Sequence, residues 1–331
     1  MSRPGEPALA QSAAVPPQRF GRVGVLYGGR SSERDISLLS GSAVLRALQQ
    51  CGVNAAGFDP AAHSLAQLES AGFDRIFLVL HGRFGEDGVM QGVLEMLRIP
   101  YTGSGVQASA IAIDKATTKK IWESVGLPTP AWTSFCAGQM PGPELAHLGP
   151  ELVVKPVSEG STFGVTKLAA GDRTALDGAI AEALKFDSRV LIEERICGRE
   201  LTCAVLGEGQ DARALPLVEI RAPQANYDYH NKYFSDATEY LCPAPLDGAV
   251  AEQISQVCLQ AYRAIGARGW GRIDLMLRTE GSVERPYLLE LNTAPGMTDH
   301  SLVPMAARAA GMSFAQLVLQ ILGDARLEIG A

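Results

Sequence analysis

Apolar residues along the chain form runs whose lengths and periods predict short strands alternating with helices. Continuous apolar runs at RVGVLY (22–27) and IFLVL (76–80) are typical of strands that are buried on both faces. A glycine-rich turn follows each run, and after the first turn apolar residues recur at helical spacing from Val44 to Leu48 until Gly52. A strand, a glycine turn and a helix form the first half of a βαβ unit. The chain is therefore predicted to begin with an α/β domain that closes near residue 103.

The same patterns predict further strands and helices downstream. Strands are predicted at residues 152–155, 165–168, 190–194, 200–206 and 214–220. Helices are predicted with Val89, Val93, Met96 and Leu97 on one face, at 109–125, at 251–265, and around Phe314, Leu317, Val318 and Ile321. The polar and aromatic stretch 221–240 is expected to be a long loop that reaches back over a substrate.

Two late segments, WGRIDLML (270–277) and YLLELNTAPGMTDHSL (287–302), alternate apolar and polar residues as half-buried strands do. Gly281 and Pro286 lie between the two segments and are expected in a connecting loop. The two segments are therefore predicted to form an antiparallel hairpin.

Pairing these strands symmetrically about the loop sets Asp274 opposite Glu290 and Arg272 opposite Asn292, with the side chains on one face. Two carboxylates about 5 Å apart at Cβ repel each other, so the pairing suggests a divalent cation between them. Carboxylates with an amide oxygen suit magnesium. The alternative, an amphipathic hairpin with a solvated acidic face, remains open at this point.

Length and composition bound the class of protein. The 331 residues suffice for two or three domains, and 29 Lys and Arg against 36 Asp and Glu argue against a chain-wide basic surface for nucleic acid. No apolar run approaches the roughly 18 residues of a membrane span, so a soluble protein is expected. Six cysteines without CxxC spacing indicate reduced thiols of a cytoplasmic protein. Residues 1–20, rich in Ala and Pro, lack a secretory core and are expected to be a disordered extension.

Polar residues at the carboxyl ends of the predicted strands are candidates for ligand binding. Glu33 lies in the turn after the first strand and His81 directly after the second, so the two meet if these strands are neighbours. Glu33 could instead only favour the N-terminus of the following helix. The hairpin tip 160–164 (GSTFG) offers mobile backbone donors to a phosphate, although it is not a Walker A loop. The charged residues at 114–120 are expected to form a solvated helix face.

Several of these segments together resemble the D-alanine–D-alanine ligases of the ATP-grasp superfamily, from about Arg22 to about Leu322. The segments that carry the resemblance are GGRSSE (28–33), HGRFGEDG (81–88), KPVSEGSTFG (155–164), LIEE (191–194), YDYHNKY (227–233), GRIDLM (271–276) and ELNTAPGMTDHS (290–301). The resemblance implies an α/β (α+β) ATP-grasp fold of three domains, in which a βαβ domain at 21–103 precedes a central domain at 104–193 and a catalytic domain at 194–331. It also implies a homodimer.

The resemblance assigns the nucleotide and metal ligands. ATP would lie between the central and C-terminal domains, and two Mg²⁺ ions, for which Mn²⁺ could substitute, would be held by Asp274, Glu290 and Asn292. The nucleotide contacts implied are Lys115 and Lys155 on the phosphates, Thr162 over the transferred group, Glu193, Glu194 and Ile196 at the adenine, and Glu200 at the ribose. Glu194 departs from the pattern, because a lysine is expected there.

The resemblance also implies the reaction, in which two D-alanine molecules are joined through a D-alanyl phosphate for peptidoglycan precursor synthesis. Arg272 and the amide of Gly296 would stabilise the tetrahedral oxyanion. Glu33, linked through Ser161 to Tyr233, would hold the first ammonium group. His81 would lie near the first D-alanine, while Lys232, Ser301 and the amide of Leu302 would hold the second carboxylate.

The sequence leaves two alternative functions to be weighed. A ligase of the same superfamily with another amino-acid or hydroxy-acid partner is disfavoured by Tyr233, because phenylalanine there accompanies D-lactate in the family. A regulatory nucleotide-binding protein without catalysis is disfavoured by Arg272, because sensing ATP requires no oxyanion donor. Nucleic-acid and membrane partners are not expected.

Overall fold

The computed structural model describes residues 16–139, 141–160, 163–223, 237–298 and 300–329. The predictions for residues 1–15 of the N-terminal extension, and for Ser161, Thr162, Lys232 and Tyr233, therefore lie outside the described residues.

The first sheet is parallel, and its central strand β1 lies between the other two. Its strands are Arg22–Leu26 (β1), Asn54–Phe58 (β2) and Arg75–Leu78 (β3). Its helices are Arg34–Gln50 (α1), Leu65–Ser70 (α2) and Val89–Leu97 (α3), and a 3₁₀ turn at Pro17–Phe20 precedes it. Strands β1 and β3 are neighbours, which meets the condition set for Glu33 and His81, whereas β2 was not predicted.

Helix α3 buries only part of the apolar face that its sequence pattern predicted. Val93 and Leu97 pack against the core beside the buried Leu94, whereas Met96 is 89% exposed and Val89 is 50% exposed. The helix is confirmed, but Val89 and Met96 lie outside its contact with the core.

The second sheet is antiparallel in the order β4-β7-β5-β6. Its strands are Trp132–Cys136 (β4), Glu151–Pro156 (β5), Thr166–Ala169 (β6) and Arg189–Glu194 (β7). Its helices are Val106–Ile113 (α4), Lys115–Ser124 (α5) and Arg173–Ala183 (α6), with a 3₁₀ turn at Pro143–His147. The single helix predicted at 109–125 was wrong, because the Asp114 side chain accepts from the Thr117 amide and starts a new helix.

The third sheet is antiparallel in the order β11-β10-β8-β12-β13, with β9 paired to β8. Its strands are Arg199–Leu206 (β8), Arg213–Ala214 (β9), Val218–Arg221 (β10), Glu239–Leu241 (β11), Trp270–Glu280 (β12) and Val283–Asn292 (β13). Its helices are Gly248–Ile265 (α7), Leu302–Ala309 (α8) and Phe314–Gly323 (α9), with a 3₁₀ turn at Gly209–Asp211. The strand predicted at 214–220 is two strands, because Pro216 between them has no amide donor.

The first and third sheets share one hydrophobic core. Val23 and Val44 of the first sheet unit pack in the same cluster as Leu206, Trp270 and Val303. This packing fixes the carboxyl ends of β1 and β3 against the segment that follows β13. Among the described residues, no helix alone is long and apolar enough to cross a membrane, and α8 with α9 reaches that length only across a 106° bend.

Candidate active site

Strands β12 and β13 form the predicted hairpin with the predicted pairing. Asp274 lies opposite Glu290 and Arg272 opposite Asn292. Residues 272, 274, 276 and 278 are partly exposed on one face of β12, whereas 273, 275 and 277 are buried behind it. The register prediction is therefore confirmed, and it places both carboxylates on the exposed face of the sheet.

The pairing depends on a β-bulge that the sequence pattern did not reveal. Gly281 and Ser282 alone connect the strands, and Pro286 belongs to β13 instead of the loop. From this turn the strands pair evenly up to Leu275 with Leu288, and the register then shifts by one residue. Without the extra residue, Leu289 would stand opposite Asp274 and Glu290 would point to the other face.

Basic side chains lie against both carboxylates of the hairpin. Arg272 donates from Nε and Nη2 to the two oxygens of Asp274, at 2.7 Å each. Lys115 Nζ lies 3.2 Å from Glu290 Oε2. Each carboxylate thus lies beside a basic side chain on the same face of the hairpin.

The donor set of the hairpin suits a hard cation. Among the described residues, no group of three or more His, Cys, Asp or Glu could hold a metal ion. The set is completed by the amide of Asn292, and two carboxylates with an amide oxygen match the oxygen ligands of magnesium rather than the ligands of zinc. The residues present therefore fit Mg²⁺.

A buried cluster of two lysines and a glutamate lies on the second sheet and α5. Glu193 on β7 lies 2.5 Å from Lys155 Nζ on β5 and 2.9 Å from Lys119 Nζ on α5. Burial would raise the pKa of Glu193, but the two lysines lower it, whereas burial lowers the pKa of Lys119 to about 8. The buried Glu193 carboxylate is therefore ion-paired with two lysines from different elements.

The expected solvated face at 114–120 was wrong. Lys115 and Lys119 are both buried, because a spacing of four places them on one side of α5, and that side faces Glu193 and Glu290. Lys119 Nζ also donates to Thr129 Oγ1 at 2.5 Å. Lys120, on the opposite side, is exposed.

Glu33 follows β1 at the start of α1, and its side chain does not cap that helix. It is buried beside the loop after β5, where a Cβ on Gly160 would approach Glu33 Oε2 to 2.6 Å. A single cavity joins this carboxylate to the hairpin, and its charged and amide lining residues include Glu33, Glu86, Lys115, Arg272, Glu290 and Asn292. Glu33 therefore lines the same cavity as the hairpin residues, in addition to its place at the start of α1.

Glu86 was not predicted as a site residue, although it lies in the quoted segment HGRFGEDG. Its two oxygens accept from the amides of Gly82 at 2.6 Å and Ala294 at 3.2 Å. Burial and the neighbouring carboxylate of Glu33 raise the pKa of Glu86 to about 8. Two adjacent acidic groups would stabilise a cation in this cavity, such as the ammonium of a substrate.

His81 is buried, and both of its ring nitrogens have protein partners. Nδ1 lies 2.8 Å from the carbonyl oxygen of Ala294, and Nε2 lies 3.1 Å from Ser40 Oγ. Burial lowers the pKa of His81 to about 4, so the ring is neutral. The structure thus places His81 against the turn after β13, and its contact with a substrate stays a prediction.

The residues expected at the adenine and ribose lie where the second and third sheets meet. Glu194 at the end of β7 pairs with Arg278 of β12 at 2.6 Å, which supplies a partner for the unexpected acidic residue. Ile196 is buried, and Glu200 on β8 is partly exposed opposite Met276. The Glu194–Arg278 pair thus joins the end of β7 to β12, and the nucleotide contacts of these residues stay predictions.

The turn after β13 carries the remaining described candidates. Ser301 Oγ accepts from the Thr298 amide at 2.9 Å, and a Cβ on Gly296 would approach the same oxygen to 2.9 Å. Leu302 is buried as the first residue of α8. The turn therefore presents Gly296 and Ser301 side by side.

The three-sheet fold, with one cavity lined by Lys115 of α5 and by Arg272, Glu290 and Asn292 of β12 and β13, indicates an ATP-grasp enzyme. The family models described as D-ala D-ala ligase N-terminus and D-ala D-ala ligase C-terminus match residues 57–104 and 121–323. The chain belongs to the D-alanine–D-alanine ligase family.

Relatives cover almost the whole chain. It is 55% identical over 314 residues to D-alanine–D-alanine ligase of Bordetella avium (strain 197N), covering 95% of this chain and 98% of that protein. The crystal structure of D-alanine–D-alanine ligase from Bacillus anthracis matches with a TM-score of 0.80 at 34% identity, covering 92% of this chain and 96% of that one. The structure of that ligase complexed with ATP matches with a TM-score of 0.78 at 33% identity and the same coverage. The family resemblance of the sequence is thereby confirmed.

Proposed function

We propose that the chain joins two D-alanine molecules at the expense of ATP, through a D-alanyl phosphate, and so supplies a peptidoglycan precursor. One observation carries the proposal. Glu33, Arg272 and Glu290 line a single cavity with Lys115 and Asn292, so an ammonium anchor, an oxyanion donor and phosphate and metal ligands meet in one place. Family membership supports the same activity.

The nucleotide lies in the cleft between the second and third sheets. Lys115 and Lys155 neutralise its phosphates, and the Glu193, Glu194 and Ile196 segment holds the adenine, with Glu200 at the ribose. Asp274, Glu290 and Asn292 hold the magnesium ions, with Thr162 over the transferred group. When bound, Mg²⁺ neutralises charge that develops on the phosphoryl group.

The chemistry needs positioned donors and no nucleophilic side chain. A carboxylate oxygen of the first D-alanine attacks the γ-phosphorus, and the bond to ADP breaks. The deprotonated amine of the second D-alanine then attacks the acyl carbon, and the bond to phosphate breaks. Arg272 and the Gly296 amide stabilise the tetrahedral oxyanion between these events.

The substrates are held from both sides of the cavity. Glu33 binds the first ammonium, with Ser161 and Tyr233 completing that contact and His81 nearby. Ser301, the Leu302 amide and Lys232 bind the second carboxylate. We further assign the three domains to 21–103, 104–193 and 194–331, and the enzyme to the cytoplasm, without nucleic-acid or membrane partners.

Purified protein is expected to release phosphate only when ATP, Mg²⁺ and D-alanine are present together, because the acyl phosphate forms only on a bound carboxylate. A coupled phosphate assay with mass spectrometry of the product measures this. D-lactate or D-serine as the second substrate is expected to give less product, and a chelator should stop the reaction. Folded protein that releases no phosphate in response to D-alanine would refute the proposal.

We also expect the enzyme to be a homodimer that uses the exposed apolar face of α3. Val89 and Met96 are seven residues apart on this helix and therefore share a face, and Phe84 just before it is 52% exposed. Exposed apolar patches of this kind are typical of interfaces.

Met96→Glu is expected to convert the dimer to monomer, because a charge would be buried at the interface. Sedimentation velocity at micromolar protein measures the change. Val125→Glu, at another exposed apolar position on the C-terminal end of α5, is the control and should leave the dimer intact. A wild-type monomer, or an unchanged Met96→Glu dimer, would show that this face is not the interface.

A further inference from the structure

Three buried side chains of the first domain hold the turn 294–297 on both sides of Gly296. Glu86 Oε1 accepts from the Ala294 amide at 3.2 Å, and His81 Nδ1 lies 2.8 Å from the Ala294 carbonyl oxygen. Ser40 Oγ accepts from the Met297 amide at 3.0 Å. The residues come from α1 and the segment after β3, so the turn is anchored to a different sheet from the one that carries it.

The hydrogen bonds that link the turn, His81 and Ser40 allow only one assignment of donors and acceptors. The Ala294 carbonyl can only accept, so Nδ1 of His81 carries the proton and Nε2 is the acceptor. Ser40 must then donate its hydroxyl proton to Nε2, at 3.1 Å, while its oxygen accepts from Met297. Ser40 therefore donates one hydrogen bond and accepts another, and this fixes both the histidine tautomer and the position of the turn.

Glu86 ties the same turn to the loop after β3. Its second oxygen accepts from the Gly82 amide at 2.6 Å, and Gln91 Nε2 donates to the Gly85 carbonyl oxygen at 2.7 Å. The loop that carries Glu86 is therefore itself fixed at two points. The Ala294 amide also donates to Asn292 Oδ1 at 3.2 Å, so Glu86 shares this amide with a residue of the third sheet. Loss of the Ser40 hydroxyl would remove the acceptor of the buried Met297 amide and leave an unsatisfied backbone donor in the turn.

We propose that Ser40, His81 and Glu86 are positioning residues that fix the backbone amide of Gly296 at the place where the oxyanion develops. The proposal rests on the proposed function, in which this amide is an oxyanion donor. Such a donor works only if it is aimed before the reaction, and a displacement of about 1 Å costs on the order of 100-fold in rate. The first domain thereby acts on the second chemical step through the turn, without Ser40 touching a substrate.

Ser40→Ala is the direct test, with Ser37→Ala as the matched control. Both serines are fully buried on α1, but Ser37 Oγ donates to the Val79 carbonyl and accepts from the Gly28 amide instead of contacting the turn. Ser40→Ala is expected to lower kcat about 10- to 100-fold, with KM for ATP and D-alanine changed less than about 3-fold. Ser37→Ala should lower thermal stability similarly and leave kcat within about 3-fold.

Amide hydrogen exchange of ligand-free protein tests, independently of activity, whether Ser40 holds the turn 294–297 in place. The peptide that contains Gly296 and Met297 is expected to exchange faster in Ser40→Ala than in Ser37→Ala or wild type. Faster exchange with a loss confined to kcat supports the proposal. Unchanged exchange, an unchanged kcat, or a loss expressed only in KM overturns it. A wild-type protein without ligase activity refutes the proposed function instead, and the exchange result still decides whether Ser40 holds the turn.

Discussion

Arg272→Met is expected to lower kcat about 100- to 1000-fold, with smaller changes in KM. Arg272 lies on the exposed face of β12, opposite Asn292, and Asp274 holds its guanidinium through two bonds of 2.7 Å. It is thus aimed into the cavity before any charge develops there. Steady-state ADP release at saturating ATP and D-alanine measures the effect.

Arg278→Met is the matched control, because Arg278 lies on the same face of the same strand and is also ion-paired, but with Glu194. Its loss is expected to raise KM for ATP and to leave kcat within a few-fold. The fold should survive Arg272→Met, since Thr202 Oγ1 still donates to Asp274 at 2.7 Å. Equal losses of kcat in the two variants would contradict the oxyanion role of Arg272.

Lys119→Met is expected to lower the free energy of unfolding by about 3–5 kcal/mol, because it removes one of the two cations that neutralise a buried carboxylate. Glu193 would keep only Lys155, at 2.5 Å, and Thr129 would lose the lysine as a donor. Urea unfolding followed by circular dichroism measures the loss.

Lys120→Met provides the comparison, since Lys120 is the next residue of α5 and is exposed. It is expected to change the free energy of unfolding by less than about 0.5 kcal/mol. If both variants unfold at the same urea concentration, the buried cluster does not stabilise the protein as its geometry indicates.

The sequence predicted those parts of the site that depend on period and order along the chain. Alternation along β12 and β13 placed Asp274 and Glu290 on one face, and pairing the strands symmetrically about the loop set them opposite each other, although the bulge that produces this register was not predicted. The apolar runs located β1 and β3 but left open whether the two strands are neighbours. Strand β2 was missed because its residues, NAAGF, include no β-branched side chain and show no alternation.

The missing parts depend on partners that are distant in sequence. Lys119 was predicted to be solvated because a charged helix face has the same sequence pattern whether it faces water or a buried carboxylate. Its partner Glu193 lies on β7, and strands β4, β5 and β6 and helix α6 come between them along the chain. The contact of Ser40 with the turn was not predicted for the same reason, since its partner Met297 lies 257 positions away in the sequence.

The bulge at Leu289 separates the hairpin into two parts with independent registers. The outer part, from Leu275 and Leu288 to the turn, pairs in one frame, whereas Asp274 with Glu290 and Arg272 with Asn292 pair in another. The bulge therefore lies between the turn at Gly281 and Ser282, where residues could be inserted, and the carboxylates of Asp274 and Glu290. This tip is accordingly a suitable place for grafting a peptide tag or a labelling sequence, because added residues there need not disturb Asp274 and Glu290.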